Sequence, residues 1–251
     1  MEELKKVFDE YVEKFEQTSK VKLKYEHTLR VANNCFKIAE FLNLSEMDKK
    51  IAYLMGLSHD LGRFKQLALT DSFSDNKTNI DHASLSVDIL FKEGLINKFM
   101  DTMDYDDIIK YAILSHNKDS IDKNLGERTK MFASILRDAD KLDILNILTF
   151  EKKENIFWFN EYHALEINDK VLNDHLNGKL IDYNDIDTNF DLAIAYYNYA
   201  LDINYKWTKE EILKNKYYEK ITERFKTWFL KDHILETIEK KSLEYLKKDN
   251  Y

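Results

Sequence analysis

Proline is absent from all 251 residues, and glycine occurs only five times. Hairpins need such punctuation, so a chain poor in both and rich in Leu, Ile, Lys, Glu and Asn is expected to be all-α. Cysteine is nearly absent as well. The single Cys35 excludes an internal disulfide, a CxxC zinc knuckle and a thioredoxin-like motif. No apolar run approaches the roughly 18 residues that a membrane span requires. Met1-Glu2-Glu3-Leu4-Lys5-Lys6 opens a charged amphipathic pattern, which predicts no signal peptide. A basic excess is missing too: 38 basic against 46 acidic residues give a formal net charge of -8, spread in mixed-sign clusters. That argues against a nucleic-acid polymer as partner, since a phosphate backbone is gripped by a broad basic face, although a local cationic pocket stays compatible with it. The expectation is a soluble cytoplasmic protein without membrane contact, long enough to bury a sizeable core unaided by disulfide or structural zinc.

Apolar periodicity predicts helices at about 2–18, 24–42, 46–60, 82–93, 105–117, 128–148, 184–204, 209–228 and 230–247. Ser45 and Asp81 are placed to cap the helices that follow them, and Gly62 falls where a helix carrying His59 and Asp60 would end. Residues 66–81 hold no sustained period. Their polar run Thr70-Asp71-Ser72-Phe73-Ser74-Asp75-Asn76-Lys77 reads as a loop that could cover a site beside Arg63. With no repeat, linker or long charge block, two separate domains are not expected. The division is a helical core over about 1–150 and a C-terminal helical extension over about 151–251, packed on that core.

His59-Asp60 is the most informative pair, in Met55-Gly56-Leu57-Ser58-His59-Asp60-Leu61-Gly62-Arg63-Phe64. It follows Ile51, Ala52, Leu54 and Met55, whose helical spacing points it inward, and a buried charge needs a partner. His27 shares a stripe with Leu23, Val31 and Ile38, His82 with Leu85, Ser86 and Ile89, and His116 with Ile109, Ala112 and Ile113. Asp140 is flanked at helical steps by Ala133, Leu136, Ile144 and Ile147. Taken singly, an inward histidine is more often a hydrogen-bonded core residue than a ligand, and an inward aspartate often caps or pairs. Taken together, four histidines and two acids approaching one interior satisfy one another most simply through a shared cation.

The order His27, His59-Asp60, Asp140 resembles the HD-domain phosphohydrolase superfamily, whose defining pattern is H…HD…D. The family's last acid usually sits in an Ala-Asp dipeptide followed by a basic residue, matched here by Leu136-Arg137-Asp138-Ala139-Asp140-Lys141-Leu142-Asp143. That favours Asp140 over Asp138 as the ligand. Binuclear branches place two further histidines between, and His82 in Asp81-His82-Ala83 and His116 in Ser115-His116-Asn117-Lys118 fill those places. The resemblance covers about residues 24–148 and implies an all-α HD helical bundle. It also implies one or two divalent transition metals per chain, with Fe, Mn, Zn, Co and Ni all suited to mixed imidazole and carboxylate ligands. His27, His59, Asp60 and Asp140 would hold the first metal, and Asp60, His82 and His116 a second, which makes Asp60 the bridge. Two metals about 3.5–4 Å apart clamp both the attacking and the leaving oxygen of a phosphoryl transfer. With one metal, His82 and His116 would instead orient substrate or donate a proton.

The implied activity is hydrolysis of a nucleotide or another small phosphorylated metabolite, with Asp60 and Arg63 as catalytic groups. Arg63 follows the pair by three residues, where the related HD-GYP branch has a phosphate-contacting Lys; a salt bridge is the plain alternative. Asn117, Lys118 and Lys141 adjoin proposed ligands and are further substrate-binding candidates, with solvated roles at least as suitable. The extra HD-GYP motif is absent. Two other functions stay open: a di-iron oxygenase of the same fold, and a non-catalytic metal- or nucleotide-binding regulator. A plain helical scaffold would bind no metal. His163, His175 and His233 lie outside the pattern and are read as surface or interhelical residues. Ile156-Phe157-Trp158-Phe159 and Tyr196-Tyr197-Asn198-Tyr199 read as helix packing, with a homodimer face left open.

Overall fold

The computed structural model of the chain describes residues 1–157 and 166–248, and among these there is no β-strand. His163, Trp158 and Phe159 lie outside the described residues. Contacts divide the chain into two units, Met1–Asp140 and Lys141–Tyr251. In chain order the first unit contains α1 (Glu2–Val12), α2 (Ser19–Phe41), α3 (Glu46–Ser58), α4 (Leu61–Thr70), α5 (Asp75–Thr78), α6 (His82–Val87), α7 (Ile96–Phe99) and α8 (Asp106–His116). The division falls inside α9 (Glu127–Leu148). The second unit then has α10 (Lys153–Ile156), α11 (Asp169–Leu176), α12 (Asn189–Asn198), α13 (Lys206–Asn215), α14 (Tyr217–Phe229) and α15 (Asp232–Lys247). No helix among the described residues is long and apolar enough to cross a membrane.

The predicted caps are in place. Ser45 accepts from the Asp48 N–H at the start of α3, and Asp81 accepts from the N–H groups of Ala83 and Ser84 at the start of α6. Three expectations are corrected. The supposed loop 66–81 begins as helix, since α4 runs to Thr70, and its remainder contains the short α5. The stretch 209–228 is two helices, because Lys216 adopts φ 53° between α13 and α14. Gly62 does not end a helix: α3 stops at Ser58, and Gly62 is the second residue of α4. Glycine is needed there for space. A Cβ on Gly62 would lie 2.3 Å from the His82 carbonyl oxygen and 2.9 Å from the Ser86 nitrogen, so α4 meets α6 backbone to backbone.

The first unit's core is the α2–α3 pair with α8 and α9 around it. Val31, Ala32, Cys35 and Ile38 from α2 are fully buried with Ile51, Leu54 and Met55 from α3. Gly56 sets the separation of the two helices, because a Cβ there would stand 2.4 Å from the Ala32 Cα. In the second unit, Phe190, Tyr197, Tyr218, Phe225 and Phe229 form an aromatic core, with Tyr197 stacked on Tyr218 and Phe157 edge-on to Phe229. Phe157 and Tyr197 thus serve packing. His175 on α11 is buried and bridges helices, while His233 is exposed. His175 Nε2 donates to the Ile238 carbonyl on α15 and its Nδ1 accepts from Asn198 Nδ2 on α12, a pattern that fits neutral imidazole.

Two predictions follow from these contacts. Gly56→Ala should lower stability by about 2 kcal/mol in urea denaturation, because the new methyl meets backbone that cannot step aside. Burial pushes the His175 pKa down to about 4, with Lys241 adding to the effect and the Ile238 hydrogen bond opposing it. The unfolded chain therefore binds a proton that the folded chain refuses between about pH 6.5 and pH 4. Stability should fall through that window as pH drops, by roughly 1.4 kcal/mol per pH unit from this site alone. His175→Gln should flatten the slope of denaturation midpoint against pH by about one proton.

Candidate metal centre

Six helices deliver the predicted side chains to one place. His27 comes from α2, His59 and Asp60 from the α3–α4 junction, His82 from the first residue of α6, His116 from the last residue of α8, and Asp140 from α9. The four histidines and Asp60 are buried, and the Asp140 side chain is nearly so. His27 Nε2 lies 3.2 Å from Asp140 Oδ1 and 3.6 Å from Asp60 Oδ2. His59 Nε2 lies 3.5 Å from Asp60 Oδ2 and 3.7 Å from Asp140 Oδ1. The other Asp60 oxygen faces His82 Nε2 at 3.5 Å. Asp60 thus shows one oxygen to His27 and His59 and the other to His82. Donor atoms of His27, His59 and Asp60, of His59, His116 and Asp140, and of Asp60, His82 and His116 each gather closely enough to hold a metal ion. Among the described residues Asp138 belongs to no such group, and it is Asp140 that faces the histidines.

Hydrogen bonds decide which nitrogen carries the proton in three of these rings. His59 Nδ1 is 2.8 Å from the Gly56 carbonyl and His116 Nδ1 is 2.6 Å from the Ile113 carbonyl, so each Nδ1 must donate. His82 Nδ1 is 2.6 Å from Asp75 Oδ2 and donates likewise. Burial lowers the pKa of His82, and burial with His82 and His59 alongside lowers that of His116 to about 3, so both rings are neutral. Their Nε2 atoms then carry bare lone pairs and stand 3.0 Å apart. Neither can donate to the other. His59 Nε2 is buried without a hydrogen bond. Both acids are ionised: burial works to raise them, but the Lys24 ammonium foremost, with the Arg63 guanidinium, holds Asp60 well below the usual carboxylate range. Asp140, against burial, is likewise held well below the usual range. Lone pairs converging on two buried carboxylates repel unless a cation lies among them. The donor set therefore fits a divalent metal ion.

Residues outside the pattern hold these ligands in place. Asp75 bonds His82 Nδ1, receives Arg63 Nη1 at 2.5 Å and accepts from Gln66 Nε2 at 3.0 Å. The Ser86 hydroxyl donates to the His59 carbonyl and accepts from the Gly62 N–H, which ties the His-Asp junction to α6. Arg137, fully enclosed, donates to the carbonyls of Ser115, Lys118 and Asp119 and so fixes the end of α8 that carries His116. Lys24 Nζ lies 2.7 Å from Asp60 Oδ2. Sequence reasoning passed over Asp75, Arg137 and Lys24. Lys24 sits one helical turn before His27, a spacing that could have flagged it, but it stands among Lys20 and Lys22.

The substrate-binding candidates all have protein partners. Arg63 brings Nε to 3.8 Å from Asp60 Oδ1, while its Nη1 is bound to Asp75, Gln66 and the Phe73 carbonyl. Lys118 pairs with Asp81 at 2.5 Å, and Asn117 Nδ2 reaches the same carboxylate at 3.3 Å. Lys141 pairs with Asp202 at 2.9 Å. The loop beside Arg63 is therefore strapped down by that arginine.

Residues 25–145 match the family model described as the HD domain. No curated protein and no solved structure matches the chain.

Asp75→Ala should weaken metal binding by about 10- to 100-fold in a competitive chelator titration, because His82 loses the carboxylate that orients it. Helix content should stay at the wild-type level.

Proposed function

We propose that this protein, whose residues 25–145 match the model of the HD domain, a family mostly of metal-dependent phosphohydrolases, hydrolyses a phosphate ester of a nucleotide or another small phosphorylated metabolite. The observation that carries this reading is the 3.0 Å approach of two Nε2 lone pairs, from His82 and His116, beside the ionised Asp60. In this reading His27, His59, Asp60 and Asp140 would hold one ion, and Asp60, His82 and His116 would hold a second. A metal bound there would supply Lewis-acid activation of a water and positive charge for the phosphoryl oxygens.

The chain's own residues do the rest. Asp60 turns its two oxygens to different histidines and would be shared between the two donor groups. Pinned Nδ1–H groups on His59, His82 and His116 keep those three Nε2 lone pairs aimed inward, so these rings need not reorient when charge develops. Arg63, with its Nε near Asp60, adds positive potential from the loop side.

Protein loaded with Mn, Fe, Co or Ni should release phosphate from at least one member of a panel of nucleotides and sugar phosphates. Elemental analysis should find two metal ions per wild-type chain. His82→Ala should reduce that to one, and Asp60→Ala should remove metal and lower turnover by roughly a thousandfold while the helical spectrum persists. Metal-loaded protein that releases no phosphate from the whole panel would overturn the hydrolase reading in favour of a binding protein.

A further inference from the structure

The cluster includes one ammonium group that belongs to no part of the His-Asp pattern. Lys24 lies on α2, three residues before His27, with its Nζ 2.7 Å from Asp60 Oδ2. The Lys24 side chain is 20% exposed where that of Asp60 is 3%. Its charged head therefore stands between solvent and the carboxylate at the heart of the donor cluster. One wall of this approach is the segment after α4: the Phe73 ring centroid lies 5.5 Å from Lys24 Nζ, and Lys20, a turn earlier on α2, pairs with Asp71 at 2.8 Å.

The neighbouring cations differ in what holds them. Arg63 Nη1 is bound to Asp75, Gln66 and the Phe73 carbonyl, so its movement would unfasten the loop and release His82. Lys118 is paired with Asp81 and Lys141 with Asp202. Lys24 instead commits its head to an oxygen that a metal would take over. A metal ligated by Asp60 neutralises that carboxylate, and the ammonium then has its charge to offer elsewhere. Lysine suits the exchange, because a compact point charge with three donors on a flexible four-carbon stem can turn to a new acceptor without moving α2.

We propose that Lys24 is a phosphate-binding residue, donating to a non-bridging oxygen of the substrate's phosphoryl group once Asp60 is engaged by metal. The assignment rests on the phosphohydrolase reading above and goes beyond the ligand pattern. It differs from the structural alternative, in which Lys24 is a counter-ion that holds Asp60 in place, because a counter-ion makes no contact with phosphate.

The experiment titrates inorganic phosphate calorimetrically into Mn-loaded wild type, Lys24→Met and Lys24→Arg, with Mn per chain and helix content measured on the same samples. Lys24→Met should keep the wild-type Mn content yet bind phosphate at least about tenfold more weakly, and Lys24→Arg should recover most of the loss. Equal phosphate affinity in wild type and Lys24→Met, with Mn retained, would overturn the assignment and leave the hydrolase reading standing. Loss of Mn from both variants would overturn it in favour of the counter-ion role. If Mn-loaded wild type itself binds no phosphate, the hydrolase reading falls and this inference with it.

Discussion

Two buried carboxylates that stay ionised, Asp60 and Asp140, face histidine lone pairs whose direction is already chosen. That constraint organises the first unit. His59 and His116 each donate Nδ1–H to the carbonyl three residues earlier, Gly56 and Ile113. Such carbonyls are free to accept only where a helix is ending, because deeper in a helix the backbone ladder claims them. Both histidines accordingly sit at helix C-termini, His59 just past α3 and His116 as the last residue of α8. Gly56 has two roles: its carbonyl orients His59, and its missing Cβ lets α2 approach closely enough for His27 and Lys24 to reach Asp60.

The surrounding network is polar and closed, which makes it sensitive. Arg63 joins the loop after α4 to Asp75, Asp75 orients His82, and Ser86 ties α6 back to the His59 carbonyl and the Gly62 N–H. Arg137 gathers three carbonyls that follow from the end of α8. Each such group, once buried, costs about 1–3 kcal/mol if its partner is lost. The ligand geometry therefore depends on residues that touch neither metal nor substrate. Arg63 illustrates the overlap, with Nη1 serving the loop and Nε turned towards Asp60.

The motif and the fold class were legible in the chain because they rest on period and residue type. An inward stripe at 3.6-residue spacing put His27, His82, His116 and Asp140 on apolar faces, and a chain without proline and with five glycines left little room for sheet. What was not legible depends on long side chains and tertiary partners. Lys24 and Arg137 are long polar residues of a kind usually found in water, and only the folded chain brings them to a buried carboxylate and to buried carbonyls. Asp75 lies in a stretch with no period, so its link between Arg63 and His82 has no one-dimensional trace. Gly62 was misread because glycine after a helix usually signals a left-handed end, whereas here the demand comes from α6 approaching from far along the chain. The junction at Lys216 was missed for the opposite reason: a lysine holds a left-handed conformation where glycine or asparagine would have announced the break.

The distribution of cations around the centre bears on how the proposed chemistry would share its charge. A phosphoryl group brings negative oxygens into a site already holding two ionised carboxylates, so positive charge must be in place before substrate arrives. Three of the cations around the centre are already matched. Arg63 is matched by Asp75, Lys118 by Asp81, and Lys24 by Asp60. A cation that takes over Asp60 and Asp140 would add the positive potential these pairs withhold. On this reading metal binding comes before substrate binding for an electrostatic reason, independent of any role in activating water. Chelation would then abolish phosphate affinity as well as turnover, whereas a site built on unpaired arginines would still bind the anion without metal.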